Sequence, residues 1–442
     1  MTDRDKTIIA IATAHGVGAI GIIRISGKDC FEKVASVFSG FKEKEPNLMK
    51  YGTLSCGNFT DRCMAVYYKA PHSYTGEDGV EIFCHGSYAL MSGIVKWFIE
   101  NKGFYYAEGG DFTARAFANG KIDLTEAEGV YDLISAESEA EIRGAFSLLT
   151  GKLKESIKNI QKSIISARAQ TEASIDYPEE DVEEQSAIEV EKQIKEIKSD
   201  LLSLLSTYKE GKIMRSGVFV TLIGKPNAGK SSLMNAILGF DRAIVTEEKG
   251  TTRDTLTESY LYKGLRFNLT DTAGIREATS LPEKMGIERA ENSAKESDIA
   301  LVVTEGGLLD EETEKLVSTL KSNDRKVVVV NNKIDIMTAE NNGGVNVSAK
   351  TGEGIAELKE IIYRECAVSV SGGAQINNER QFACAIEALS HIERAEQNVR
   401  SVPLELISSD LYDAYSSLGR ITGITGSDAL AEEIFKRFCV GK

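Results

Sequence analysis

Eight consecutive residues, Gly224-Lys225-Pro226-Asn227-Ala228-Gly229-Lys230-Ser231, have the composition of a loop that wraps phosphate. Glycines let backbone N–H groups close on the oxygens, Lys230 reaches the outer phosphates, and the Ser231 hydroxyl can ligate Mg²⁺. Asp271, in Asp271-Thr272-Ala273-Gly274, supplies a carboxylate for the magnesium shell and a following N–H that senses a γ-phosphate. Asn332-Lys333-Ile334-Asp335 adds an acceptor, the Asp335 carboxylate, for the paired N1–H and 2-amino donors that only guanine presents. Ser348-Ala349-Lys350 can support the base from the other side. The implied chemistry is GTP binding and hydrolysis, with GTP selected over ATP.

Each group needs a strand to deliver it. VFVTLIG, RFNLTDT, IALVVT, KVVVVNN and VNVSAK alternate with helical stretches, which predicts a mostly parallel sheet flanked by helices. Elsewhere Leu153, Ile157, Ile160, Ile164 and Ala167 recur at steps of four and three, as do Val190, Ile194, Ile197, Leu201 and Leu204. Those spacings predict two long amphipathic helices, broken at Pro178. The helical period returns after Gln375 with Phe382, Ile386 and Leu389, then Ile407, Leu411, Tyr415 and Leu418. The first 120 residues mix short β-rich stretches, among them GAIGIIRIS, MAVYYK and GVEIFCHG, with Gly-punctuated loops, followed by an apolar helix from Tyr88 to Glu100. The expected fold class is multidomain α+β and α/β, with an α/β domain inserted into a helical one. VSVSGGAQ, residues 368–375, reads as a hinge or linker.

Length and charge bound the rest. The 442 residues accommodate two to four domains. A formal charge of −15 argues against a self-sufficient nucleic-acid binder, because it supplies no global basic field. Seven cysteines without a C-x-x-C pair fit reduced thiols in the cytoplasm, and no run reaches the roughly 20 apolar residues of a membrane span. The polar opening MTDRDK has no signal-peptide character.

The four motifs in this order, each after a strand, resemble the translation-factor-related GTPases, and GKPNAGKS resembles their Era, EngA and MnmE (TrmE) branch. Ile275 stands where Ras-type proteins have a water-orienting glutamine, so hydrolysis needs another device. The resemblance implies K⁺ held by Asn227, Thr246, Glu248 and Thr251, and Mg²⁺ held by Ser231 and Thr252. It implies Glu283 as the residue that orients water, against the plainer alternative of a solvated carboxylate. GTP contacts would extend through Ser232 and through Glu247, Lys249 and Gly250 of the loop over the ion.

Segments IIRISG (22–27), APHSYTGEDGVEIFCHG (70–86), DFTARAFANGKIDLTEAEGVYDLI (111–134) and ARAQTEASIDYPEED (167–181), with the terminal Cys439-Val440-Gly441-Lys442, resemble the MnmE (TrmE) family of tRNA modification GTPases along the whole chain. That resemblance implies a tetrahydrofolate-binding aminomethyltransferase-like domain at 1–120 through which the chain dimerises. A discontinuous helical domain at 121–213 and 372–442 and a GTPase domain at 214–371 complete it. Implied too are a flavoprotein partner, MnmG (GidA), carrying FAD in a heterotetrameric complex, a 5-formyl- or 5,10-methylene-tetrahydrofolate, and modification at C5 of the wobble uridine of certain tRNAs.

Arg24, Glu81, Lys121 and Lys442 match the family's folate contacts. A carboxylate can read a pterin edge, and cations suit the anionic glutamate tail; for any one of them taken alone a surface ion-pair partner is the better reading, and the flanking motifs reverse that. Cys439 is either a chemical thiol or a packed small residue. His15, His72, His85 and His391 form no metal-spaced set, and Trp97 reads as core. The alternatives are an Era- or EngA-like GTPase of ribosome assembly, which would need a basic RNA module or a second phosphate loop, and a folate-dependent aminomethyltransferase acting on protein.

Overall fold

The computed structural model describes residues 5–176, 180–239, 257–271, 297–322, 325–337, 342–366, 373–425, 428–436 and 438–442. They fall into two compact units, one of residues 1–131, 148–202 and 383–442, the other of residues 132–147 and 203–382.

The first unit contains a six-stranded sheet: β1 Ile8–Ile11, β2 Gly18–Ser26, β3 Lys50–Cys56, β4 Phe59–Tyr68, β5 Gly79–Gly86 and β6 Tyr105–Tyr106, in the order β3-β4-β5-β2-β1-β6. All pairs are antiparallel except β1 with β6. Side chains alternate between the two faces of a strand. Ile23, Ile25, Ala65, Tyr67, Val80 and Ile82 therefore share one buried face and meet Met91, Ile94, Val95 and Phe98 of the helix Tyr88–Lys102. That helix starts where Ser87 Oγ accepts from Leu90 N–H and stops at Gly103, whose φ of 67° suits a residue without a Cβ. The opposite face of the same strands presents Arg24 and Glu81, which are direct cross-strand partners in the β2–β5 register.

The predicted apolar stripes are buried. Leu153, Ile157, Ile160, Ile164 and Ala167 line the helix Lys152–Asp176, and Val190, Ile194, Ile197, Leu201 and Leu204 line Glu180–Ser206. The first packs along Leu404–Thr422, tied by Gln161 Nε2 to the Tyr415 carbonyl at 3.1 Å and Arg168 Nε to Ser408 Oγ at 3.1 Å. Lys198 reaches Glu393 and Glu396 of the helix Glu379–Asn398. In that helix the sequence reading needs correction, because Ile386 is exposed. The buried face is Ala385, Ala388, Leu389, Ile392 and Ala395; three of these are alanines, which a hydrophobicity pattern underweights.

The second unit is built on β7 Val218–Ile223, β8 Thr257–Tyr262, β9 Leu265–Asp271, β10 Ile299–Glu305, β11 Lys326–Asn332 and β12 Val345–Asn346, in the order β12-β11-β10-β7-β9-β8. Every pair is parallel except β8 with β9. VNVSAK supplies only two strand residues. After Val347, whose N–H is held by the Asn331 carbonyl at 2.9 Å, the chain turns and Gly352 N–H bonds back to the Ser348 carbonyl. Helices Lys230–Leu238 and Ile355–Cys366 contribute Leu233, Ile237, Leu358 and Ile362 to the core of this sheet. Residues from three other stretches belong to this unit: Ala140 N–H bonds the Gly264 carbonyl, and the Tyr208 and Phe382 rings stack at 4.1 Å. The chain is multidomain α+β and α/β, as the periodicities require. No helix among the described residues is long and apolar enough to cross a membrane.

Candidate functional site

In open α/β sheets ligands bind beyond the carboxyl ends of the strands, and the first motif lies there. β7 runs into the phosphate loop, and the helix Lys230–Leu238 begins at its far end. Two of its glycines have no room for a side chain. A Cβ at Gly224 would come 2.3 Å from the Val303 carbonyl oxygen, and one at Gly229, where φ is 86°, would come 2.4 Å from Asn332 Nδ2. Asn227 takes a φ of 67°, a conformation asparagine tolerates better than most residues. Lys230 is buried, its ammonium folded onto the carbonyls of Gly224 at 2.8 Å and Lys225 at 2.9 Å. Ser231 Oγ donates to Asp271 Oδ2 at 2.6 Å, so the phosphate-loop hydroxyl and the carboxylate ending β9 stand side by side. A hydroxyl and a carboxylate placed together at a helix N-terminus are donors that suit Mg²⁺.

The base loops are braced to the phosphate loop by a residue whose part in this was not legible from the motif. Asn332 is buried, its Nδ2 donating to the Ala228 carbonyl at 2.9 Å and its Oδ1 accepting from Ala349 N–H at 3.0 Å. Ser348 Oγ donates to Asp335 Oδ1 at 2.8 Å, orienting the carboxylate while leaving the residue exposed. Lys333, with a φ of 69°, pairs with Glu305 Oε1 at 2.5 Å. Lys350 and Ser232 are exposed near these loops. Lys225 is paired with Asp310, which also accepts from Thr313 N–H and Oγ1; these bonds hold the Asp310 carboxyl down at about 2. Thr246, Glu247, Glu248, Lys249, Gly250, Thr251 and Thr252, together with Thr272, Ala273, Gly274 and Glu283, lie outside the described residues.

A second site lies on the outer face of the first sheet, a cavity of ≈ 350 Å³ lined by Arg24, Tyr68, His72, Tyr74, Glu81 and Phe112 among others. Arg24 Nε meets Glu81 Oε1 at 2.8 Å, and its Nη1 donates to the Gly441 carbonyl at 3.0 Å, so the C-terminus is stitched to β2. A bridge between Gly109 and Val440 and a bond from Phe112 N–H to the Lys442 carbonyl complete the docking. Lys442 Nζ lies 5.8 Å from the Tyr74 ring centroid. Burial, with repulsion from Arg24, pulls its amine below the usual lysine value, and Glu81 opposes the shift. Tyr68 donates to Glu81 Oε2 at 3.2 Å, and burial raises both the Tyr68 and Tyr74 hydroxyls. The structure brings Arg24, Glu81 and Lys442 together; Lys121 is exposed at the margin, its Nζ on the Pro71 carbonyl at 3.0 Å. Tyr68, Tyr74 and Phe112 were missed, although two of them lie inside motif segments. A carboxylate beside aromatic walls and two cations fits a heteroaromatic ligand with an anionic tail.

Cys439 is exposed, the others of the seven cysteines being buried. His391 lies with Asp410 and Asp413 in a group whose ligand atoms are within 4.8 Å, but Arg394 contacts both His391 and Asp410 there. Trp97 is partly buried against the first sheet's core.

The second sheet and the loops at its carboxyl ends are those of a phosphate-loop GTPase. The MnmE helical domain family matches residues 124–439, and the family described as GTP-binding protein TrmE N-terminus matches residues 7–121. A "tRNA modification GTPase MnmE" of Acetivibrio thermocellus is 36% identical over 99% of this chain and 100% of its own length. That of Carboxydothermus hydrogenoformans is 38% identical with the same coverage. The solved FeoB G-domain of Methanococcus jannaschii covers 34% of this chain and 98% of its own at 23% identity and a TM-score of 0.26. The chain belongs to the MnmE family of tRNA modification GTPases.

Proposed function

We propose that the chain is a K⁺-dependent GTPase that, with the flavoprotein MnmG (GidA) and its FAD, adds an aminomethyl or carboxymethylaminomethyl group to C5 of the wobble uridine of certain tRNAs in the cytoplasm. A folate, 5-formyl- or 5,10-methylene-tetrahydrofolate, supplies the one-carbon unit. The observation that carries this reading is the pairing on one chain of a braced GTP site with a separate cavity in which Arg24 joins Glu81 to the chain's own C-terminus.

In this reading residues 1–120 bind the folate and dimerise, 121–213 and 372–442 form the helical domain, and 214–371 the GTPase domain. Lys230 neutralises the outer phosphates, while Ser231, Thr252 and Asp271 hold Mg²⁺. Asn227, Thr246, Glu248 and Thr251 place K⁺ where an arginine finger would otherwise bring positive charge, and Glu283 orients the water. Asp335 reads guanine. Arg24, Lys121 and Lys442 take the folate's anionic tail and Glu81 its pterin edge, with Cys439 the thiol nearest the terminus. GTP hydrolysis drives association and separation of the two GTPase domains in a dimer. The net charge of −15 leaves the flavoprotein partner to supply much of the basic tRNA-binding surface.

Mass spectrometry of wobble uridines from cells lacking the protein tests this reading. Loss of the C5-modified nucleosides is expected; normal amounts would overturn it.

A further inference from the structure

Successive residues on a strand point to opposite faces. At the end of β11 this separates two asparagines. Asn332 turns toward the phosphate loop and Ala349, whereas Asn331 turns the other way and is fully buried. Its amide is satisfied at both ends. Nδ2 donates to Asn342 Oδ1 at 2.9 Å and to Asn346 Oδ1 at 2.9 Å, while Oδ1 accepts from Asn342 Nδ2 at 3.0 Å and from Thr304 Oγ1 at 3.2 Å. Asn331 and Asn342 thus exchange a reciprocal pair of amide hydrogen bonds. Asn342 carries the network onward, donating to the Gly307 carbonyl at 2.9 Å and accepting from Gly344 N–H at 2.9 Å. No Cβ fits at Gly344, since one would lie 2.9 Å from the side-chain oxygens of both Asn331 and Asn342.

This network ties the end of β10, the 306–308 turn, β11 and the segment that enters Ser348-Ala349. Backbone bonds run in parallel, from Gly306 N–H to the Asn332 carbonyl at 2.8 Å and from Val347 N–H to the Asn331 carbonyl at 2.9 Å. The amide pair therefore lies directly behind the loops carrying Asp335 and Ser348. A buried polar network of this kind specifies one arrangement of its backbones because every alternative strands a polar group. We infer that Asn331 and Asn342 are positioning residues for guanine discrimination: they fix the loop that ends in Ser348 and, through Ser348, the Asp335 carboxylate. The inference rests on the reading of Asp335 as the guanine acceptor.

Steady-state hydrolysis by the full-length protein with GTP and with ITP, whose base lacks the 2-amino group, tests the pair. Asn342→Ala is expected to raise KM for GTP about tenfold, the scale of one or two net hydrogen bonds, with kcat at saturation nearly unchanged. It should also narrow the preference for GTP over ITP several-fold. Gly344→Ala should act in the same direction, and so should Asn331→Val if it folds. Asp335→Asn is the separate control. It should shift preference toward XTP, whose 2-oxo group accepts from the new amide, and retention of GTP preference there would remove the guanine reading itself. With that control behaving as expected, wild-type KM and GTP/ITP preference in Asn342→Ala and Gly344→Ala would overturn the inference. A loss of melting temperature without a change in preference would overturn it equally.

Discussion

Replacing Asn332 with alanine isolates the brace between the phosphate loop and the base loops. The wild-type amide makes two hydrogen bonds, of 2.9 Å to the Ala228 carbonyl and 3.0 Å from Ala349 N–H, inside a pocket where Asn332 is 1% exposed. Each bond contributes about 1 kcal/mol net, and a polar group stranded in the interior costs about 1–3 kcal/mol. Ala228 is as buried as Asn332, so its carbonyl bears the full penalty, whereas Ala349 is partly exposed and can recruit water. The expected loss is about 2–4 kcal/mol, divided between folding of the GTPase sheet and nucleotide affinity. Equilibrium titration with a fluorescent GDP should show at least about tenfold weaker binding, and urea unfolding should report the remainder. Affinity within about threefold of wild type, with unfolding unchanged within about 0.5 kcal/mol, would refute the claim that Asn332 couples the loops.

Three further outcomes can be measured, the first of them from the proposed potassium site. GTP turnover should rise when K⁺ replaces Na⁺ in stopped-flow hydrolysis, and Asn227→Ala should abolish the difference; equal rates in both salts would contradict a potassium role. Arg24→Ala removes the tie between Glu81 and the Gly441 carbonyl, so tetrahydrofolate binding by calorimetry should weaken by at least about tenfold, with GDP affinity unchanged. The Asp310 carboxyl is held at about 2 by Lys225 and Thr313, below its ordinary 3.8. A depressed carboxyl stabilises the fold above the unfolded value and loses that contribution as pH falls through the folded one. The stability difference between wild type and Asp310→Asn should therefore shrink between pH 3.8 and about 2, and a difference constant across that window would count against the ion pair.

What could be read from the sequence was local and periodic. The stripes Leu153 to Ala167 and Val190 to Leu204 were legible because helical spacing and burial coincide in them. The phosphate loop was legible because a strand and a helix bracket it. Ile386 misled because three of the residues on the buried face of its helix, Ala385, Ala388 and Ala395, are alanines, which pack closely yet carry little hydrophobic signal. The brace made by Asn332 was hidden because a motif reports a ligand contact and not the 104 residues of separation that its bond to Ala228 closes. The docking of the terminus on Arg24 was hidden for the same reason, with 417 residues between the bonded partners. Arg115 is another case, a fully buried guanidinium that the sequence offered only as part of the 111–134 segment carrying the family resemblance. It bonds Glu77 at 2.8 Å and the Lys6 carbonyl at 2.7 Å, holding the helix Asp111–Ala118 under the loop that carries Tyr74.

In the proposed function one chain joins a GTP site to a folate pocket in the service of tRNA modification. Its most direct test is complementation of a strain lacking the protein with wild type, Lys230→Ala or Glu81→Ala, followed by mass spectrometry of the wobble uridines. Wild type should restore the C5-modified nucleosides, while neither variant should do so although both accumulate as folded protein. Full restoration by Glu81→Ala or by Lys230→Ala would contradict it.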